Sequence, residues 1–241
     1  MARARGSALP AVDRLLDHLL AGADGHPLGS ELGAWLADSS RFRAFADGHR
    51  DKIRKKLRAA GDPESMRDVR AELRAASLLL TDRRIELAFE AHGSGRGGPD
   101  FTVSFRGAPA FDLEVTRLRG DPAAATHGGP LLAKLRQLPP SVANVLLIAI
   151  EGGRADALDV GPAIRRLRAL ADAKDEAFFQ RRGFEGTRDF YHRFLRLGAV
   201  LAWSEDAPND RVDAWENRSA RIPVPGSALA ACLAALRGGG A

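Results

Sequence analysis

Two acidic residues lie in segments whose side chains alternate between apolar and polar, as in a β-strand. Asp100 opens the first segment and Glu114 lies inside the second, with thirteen residues between them. That separation allows an antiparallel hairpin that sets the two carboxylates side by side. Mg²⁺ takes one or two protein carboxylates together with waters and substrate phosphate. A bound Mg²⁺ activates water and stabilises charge on an attacked phosphorus, so the pair predicts metal-dependent phosphoryl chemistry.

A third acid, Glu72, lies among apolar residues at helical spacing. It shares the edge of an apolar stripe with Val69, Ala76 and Leu79 in a helix predicted over residues 63–80. A carboxylate at such an edge needs a partner, because the burial of an unpaired charge is unfavourable. Glu72 is therefore a third candidate for the same site.

The elements that must position these acids follow in the order helix, strand, strand, strand, helix, strand. Periodicity and breaking residues predict them at 63–80, 85–90, 101–105, 111–116, 129–138 and 144–150. The last strand, NVLLIAI, is apolar throughout, which is typical of a strand buried on both faces. Beyond it we predict helices at 161–173 and 175–182, strands at 199–203 and 211–215, and a helix capped by Ser227 that ends at Leu236.

Residues 1–60 are predicted to form a helical extension. Apolar residues recur at helical spacing from Val12 to Leu20, and a loop follows at 22–29. Ser30 is predicted to cap a short helix to Leu36, and Ser40 a longer one to Arg58. The longer helix ends in the basic run DKIRKKLR. We interpret this run as a solvated helix face, with a phosphate-contacting patch as the alternative.

This order of elements, together with Pro99-Asp100 and Glu114-Val115-Thr116, resembles the PD-(D/E)XK nuclease superfamily over about residues 63–150. The resemblance implies an α/β, restriction-endonuclease-like domain over residues 61–241, in which helices flank a mixed central sheet.

The resemblance also assigns roles to individual residues. It implies that Asp100 and Glu114 bind Mg²⁺ (or Mn²⁺) and that Val115 offers its backbone carbonyl to the metal. It further implies that Glu72, on the first helix, supports the metal site.

The chain departs from the superfamily's motif at Thr116, which stands where a lysine is expected. That lysine orients the attacking water and offsets developing negative charge, whereas a threonine hydroxyl can hydrogen-bond a water but carries no charge. Superfamily members sometimes recruit a lysine or glutamine from the next helix. Lys134, at helical spacing with Leu131 and Leu138, is the first candidate here, and Gln137 is the second.

We therefore expect a Mg²⁺-dependent nuclease that hydrolyses phosphodiester bonds, with DNA as its partner. Arg96, Arg117 and Arg119 are candidates for nucleic-acid contacts, with solvation as the alternative for each. Superfamily sites often work in dimers, and the sequence leaves a homodimer open. A catalytically inactive nucleic-acid-binding or scaffold protein on the same fold is the alternative that Thr116 favours. The third hypothesis is an unrelated α/β interaction domain.

Composition and motif searches narrow the remaining possibilities. The chain has 241 residues, 45% hydrophobic and 28% charged, as in an ordinary globular protein. The net charge of +5 supports a polyanionic partner only modestly, because a bias toward Ala, Gly and Arg also explains it. The single cysteine, Cys232, excludes an internal disulfide, and the histidines lack paired ligand spacing, so no zinc site is expected.

The sequence shows no pattern typical of a membrane span or a signal peptide. No stretch approaches eighteen apolar residues, and no long apolar region follows the basic N-terminus. We expect no membrane span, no signal peptide and a cytoplasmic location. The G-x-G-x-x-G string at 93–98 precedes a strand, whereas a dinucleotide site requires a helix there.

Overall fold

The structure is a computed structural model that describes residues 9–22, 25–91, 98–118, 128–150, 160–204 and 211–238. By its internal contacts the chain divides into two units, residues 1–83 and 84–241. The predicted boundary between residues 60 and 61 falls inside the first unit. The helix that carries Glu72 therefore belongs to the same unit as the N-terminal helices.

The first unit is helical in its described part. Its helices are α1 (Leu9–Leu20), α2 (Gly29–Asp38), α3 (Ser40–Gly48), α4 (Arg50–Ala59) and α5 (Pro63–Leu79). Helix α5 begins where the sequence predicts it, because the Asp62 side chain accepts hydrogen bonds from the backbone N–H groups of Glu64 (2.9 Å) and Ser65 (3.0 Å).

The predicted caps of α2 and α3 are wrong by one or two residues. Ser30 lies within the first turn of α2, and the N-cap is Leu28, which makes no side-chain cap. Ser39, not Ser40, caps α3 through its hydroxyl oxygen. The single helix predicted to Arg58 is two helices, because the backbone leaves the helical conformation at His49 (φ −116°, ψ 16°), directly after a glycine of low helix propensity.

The second unit contains a six-stranded sheet flanked by helices. The strands are β1 (Ile85–Phe89), β2 (Phe101–Phe105), β3 (Ala108–Arg117), β4 (Ala143–Ile150), β5 (Leu197–Ser204) and β6 (Val212–Glu216). The helices are α6 (Gly129–Leu135), α7 (Val160–Asp172), α8 (Glu176–Gln180), α9 (Thr187–Phe194) and α10 (Gly226–Leu236). None of the helices in the described segments of either unit is long and apolar enough to cross a membrane.

The predicted order of elements is confirmed from α5 through β4. Two details differ. Helix α9 was not predicted, although the buried Phe190 and Phe194 stand at i, i+4 spacing. Ser227 does not cap α10, whose N-cap is Pro225, because the helix already begins at Gly226.

The sheet is mixed, with the strands in chain order from one edge to the other. Strands β1, β2 and β3 form an antiparallel meander, β3, β4 and β5 are parallel, and β6 is antiparallel to β5. Helix α6 makes the crossover between β3 and β4. This architecture confirms the α/β class. Every residue of β4 is buried, which confirms the prediction of a strand covered on both faces.

One face of the sheet packs against helices α6 to α9. Leu146 and Ile148 of β4 belong to the apolar core on this face, together with residues of these four helices. At its centre the rings of Phe179 and Phe190 lie 4.5 Å apart. Glu114 pairs with Leu146 in the parallel register of β3 and β4, so its side chain points to the same face.

Asn144 anchors the start of β4 against the chain that surrounds it. Its buried side-chain amide donates to the carbonyls of Pro139 (3.0 Å), Val142 (2.8 Å) and Arg196 (3.0 Å). Two of these carbonyls belong to the chain just before β4, and the third belongs to the chain just before β5. Because β4 sets the register of β3, this one amide helps to hold the strand that carries Glu114.

We predict that Asn144→Ala lowers the free energy of unfolding by about 1–3 kcal/mol, because it leaves buried carbonyls without their donor. Urea denaturation measures the change. Ser141→Ala, at an exposed position three residues earlier, is the control and should change stability by less than about 0.5 kcal/mol. Equal effects of the two substitutions would show that the amide is not an anchor.

Candidate functional site

The hairpin of β2 and β3 places Asp100 and Glu114 across from each other. In the antiparallel register Phe101 pairs with Leu113, so the next position sets Asp100 opposite Glu114. Residues directly opposite on antiparallel strands point to one face, with Cβ atoms about 4.5–5.5 Å apart. The structure therefore brings these two predicted site residues together.

The Asp100 carboxylate is bound to the backbone of the residue after Glu114. The N–H of Val115 donates to Asp100 Oδ2 at 2.9 Å. The β2–β3 ladder ends at the pair formed by Phe101 and Leu113. The Asp100 carboxylate accepts from the next N–H of β3 that points toward β2, which is that of Val115. The N–H and C=O of one strand residue point the same way, so the Val115 carbonyl also points toward the β2 side of β3. Asp100, Glu114 and the Val115 carbonyl thus lie at one end of the hairpin.

The Glu114 carboxylate forms an ion pair with Lys134. The Lys134 ammonium donates to Glu114 Oε1. The glutamate side chain is 9% exposed and the lysine side chain 24%. Helix α6 aims Lys134 at the strand because Leu131 and Leu135, which flank it at i−3 and i+1, are buried in the core. The ammonium therefore reaches an acid that is largely removed from water.

A second acid of β3 lies on the same face. Asp112 is 2% exposed and accepts a hydrogen bond from the Thr102 hydroxyl at 2.8 Å. Asp112 is not among the predicted site residues, although its spacing of two from Glu114 on one strand is the sequence signal for a shared face. Thr116, also on this face, is half-buried. Asp112, Glu114 and Thr116 form a polar row along β3.

Of the two candidates for the missing motif lysine, the structure sets Lys134 beside the acid. Gln137 lies beyond the end of α6 and its side chain is exposed. Thr116 contributes a hydroxyl on the acid's face and no charge. The cation beside Glu114 is therefore supplied by the helix that follows β3.

Four other residues are predicted to contribute to the site: Glu72, Arg96, Arg117 and Arg119. Arg117 alternates with Thr116 on β3, so it points to the face opposite Glu114, and it is 5% exposed. Arg96 and Arg119 lie outside the described residues. Glu72 is buried in the first unit, where it pairs with Lys56 of α4. The predicted support of a metal by Glu72, and the predicted nucleic-acid contacts of the three arginines, stay predictions.

The donor set at the end of the hairpin fits a particular kind of metal site. Among the described residues there is no group of three or more His, Cys, Asp or Glu side chains that could hold a metal. Two carboxylates and one carbonyl do not make a closed cage of protein ligands. They suit Mg²⁺, which keeps several waters and shares its coordination with substrate phosphate. Such a donor set leaves coordination positions for waters and a substrate phosphate.

We predict that Glu114 and Lys134 are energetically coupled. In a double-mutant cycle of Glu114→Gln and Lys134→Met, the coupling should be about 1–3 kcal/mol, because either single change leaves a charge that has lost its partner. Urea denaturation of the four proteins gives the value. The control is the same cycle on Glu64 and Arg67, an exposed pair of α5, which should couple by less than about 0.5 kcal/mol. Coupling no larger than in this control would contradict the assignment.

Comparison with known proteins adds nothing to this geometry. No family model, no curated protein and no solved structure matches the chain. The resemblance to PD-(D/E)XK nucleases therefore rests on the residues and on the order of elements described above.

Proposed function

We propose that the protein is a Mg²⁺-dependent nuclease with a restriction-endonuclease-like fold, and that it hydrolyses phosphodiester bonds in DNA. The observation that carries the proposal is the meeting of the Glu114 carboxylate with the Lys134 ammonium, on the sheet face where Asp100 stands opposite Glu114. Acids that hold a metal, with a cation beside them, are the minimum that metal-assisted phosphoryl transfer requires.

Each residue has a separate task in this proposal. Asp100 and Glu114 hold Mg²⁺ through carboxylate oxygens, and Val115 through its carbonyl. The bound ion supplies Lewis acidity at the scissile phosphate and lowers the pKa of a coordinated water. Lys134 hydrogen-bonds the attacking water and offsets negative charge that develops on the phosphate. Thr116 positions the same water through its hydroxyl.

The order and pairing of the elements support the finer fold assignment. Helix α5, strands β1 to β3, helix α6 and strand β4 follow each other as the superfamily's core does. Glu114 lies on the third strand of the antiparallel meander, Asp100 stands directly before the second, and the crossover helix α6 carries the lysine. A lysine on this helix substitutes for the one that Thr116 replaces.

A second candidate function is a catalytically inactive nucleic-acid-binding or scaffold protein on the same fold. Thr116 favours this alternative, because the motif position then carries no cation and the Lys134–Glu114 ion pair serves only to neutralise a buried glutamate. A homodimer and a cytoplasmic location stay predictions under both functions.

We predict metal-dependent cutting of plasmid DNA that requires both acids. In Mg²⁺ or Mn²⁺, Asp100→Asn and Glu114→Gln should each slow nicking at least about 100-fold, because each removes a metal ligand. Glu86→Gln is the control, since Glu86 is an exposed acid of β1 on the same sheet face. Its rate should match that of the unaltered chain. Cutting that survives Glu114→Gln would refute the site.

The lysine is tested by moving it. Lys134→Ala should slow cutting about 100-fold while DNA binding is retained, because the water loses its positioning group. Adding Thr116→Lys to that variant should recover at least 10-fold of the rate, since it returns an ammonium to the face of Glu114 from the motif position. Failure of every form to cut, with DNA bound, would favour the inactive alternative.

A further inference from the structure

A cleft in the first unit is lined by three arginines, a histidine, an aspartate and four residues with uncharged side chains. Arg14 and His18 of α1 lie along one side, Arg43 and Asp47 of α3 along the other, and Arg50, the first residue of α4, closes one end. Three of these five charged or titratable groups are arginines, whose planar forks match phosphate oxygens bidentately. The cleft therefore has the chemistry of an anion site.

Two of the helices that line the cleft, α3 and α4, belong to a basic stretch of the chain. Residues 41–58 contain eight Lys or Arg against two Asp, although the whole chain has a net charge of only +5. For the last part of this stretch, DKIRKKLR at 51–58, the sequence favours a solvated helix face, and none of its residues lines the cleft. In the structure, Arg43 and Arg50 of residues 41–58 are gathered with Arg14 of another helix in one concavity. A concave surface of one sign concentrates an oppositely charged ligand more strongly than a convex helix face does.

The acids at the cleft do not block it. Asp47 Oδ1 lies 3.4 Å from Arg50 Nη1, and both side chains are more than half exposed. Exposed pairs of this kind contribute little, so Arg50 can exchange Asp47 for a phosphate at small cost. Asp51 is engaged with the ring of His18 at 3.1 Å. The acids that face these cations thus compete only weakly with a polyanion.

Arg43 is held in place before any ligand arrives. Its Nη1 donates to the carbonyl of Leu36 at 2.7 Å, and the side chain is half-buried. A guanidinium has five N–H donors, so this bond leaves donors for an anion while it fixes the group's position. Fixing a cation in advance reduces the conformational entropy lost on binding.

We propose that this arginine cleft, formed by Arg14, Arg43 and Arg50, binds the phosphodiester backbone of a nucleic-acid strand. The inference rests on the proposed function for its choice of nucleic acid as the ligand. Residues 11–18 and 40–47 run along the cleft for about two turns each, or about 10 Å. One strand rises about 3.4 Å per nucleotide, so the cleft takes about three phosphates. It binds without regard to sequence, because phosphates carry no base identity.

The test measures DNA binding without cleavage. Fluorescence anisotropy with a labelled 20-nucleotide single strand is recorded in EDTA, with full-length Asp100→Asn protein, from 50 to 200 mM salt. The triple change Arg14→Gln, Arg43→Gln and Arg50→Gln should weaken binding at least 10-fold. It should also reduce the slope of log affinity against log salt by about 2, since each phosphate contact contributes about 0.7 for single strands.

The matched control removes the same charge elsewhere. Arg165, Arg166 and Arg168 are exposed on α7 of the second unit, and their triple change to Gln should leave the slope unaltered. Equal loss in both triple variants would mean that only net charge matters and would overturn the proposal. An unchanged slope in the cleft variant, or binding of inorganic phosphate with no binding of DNA, would also overturn it.

The DNA affinity and the melting temperature of one single-site variant separate loss of the site from loss of the fold. The single change Arg14→Glu, at an exposed position, should weaken DNA binding at least 3-fold without altering the melting temperature. Because no metal or cutting is involved, a protein that binds DNA through the cleft but never cuts it would keep this inference and defeat the nuclease proposal.

Discussion

The burial of the Glu114 carboxylate is the constraint on which the rest of the second unit depends. The side chain points from β3 to the sheet face that packs on an apolar core, where an unpaired charge would be strongly unfavourable. Lys134 neutralises that charge. Its ammonium reaches Glu114 because α6 forms the crossover between β3 and β4. The ion pair therefore depends both on the packing of α6 and on the register of β3 and β4. Nothing in a purely structural sheet requires a glutamate at this position.

Much of this arrangement could be predicted from the sequence because it depends on periodicity. Alternation around Asp100 and Glu114 predicts two strands and their shared face, and the apolar run NVLLIAI predicts the buried β4. The helical spacing of Lys134 with Leu131 predicts the side of α6 that it occupies. These patterns extend over several residues, and they reflect which side chains are buried.

Features that depend on a single local bond were missed. Ser39 and Ser40 are the same residue type, so only the backbone geometry shows which one caps α3. The bond from Val115 N–H to Asp100 depends on where the β2–β3 ladder ends, and strand ends are poorly marked in a sequence. Arg117 is the last residue of β3, and because side chains alternate along a strand it points to the face opposite Glu114. The two units also differ in charge. The first contains the basic stretch at 41–58, and the second contains Asp100 and Glu114.

The central claim is that Asp100 and Glu114 share one divalent cation, and anomalous scattering from Mn²⁺ in crystals of the protein tests it most directly. The account predicts one Mn²⁺ peak with a carboxylate oxygen of each acid about 2.1 Å away, as for other hard dications of this size. It further predicts that Lys134 moves from Glu114 toward a metal-bound water. Saturating Mn²⁺ that leaves the Lys134–Glu114 ion pair intact, with no peak between the acids, would contradict it.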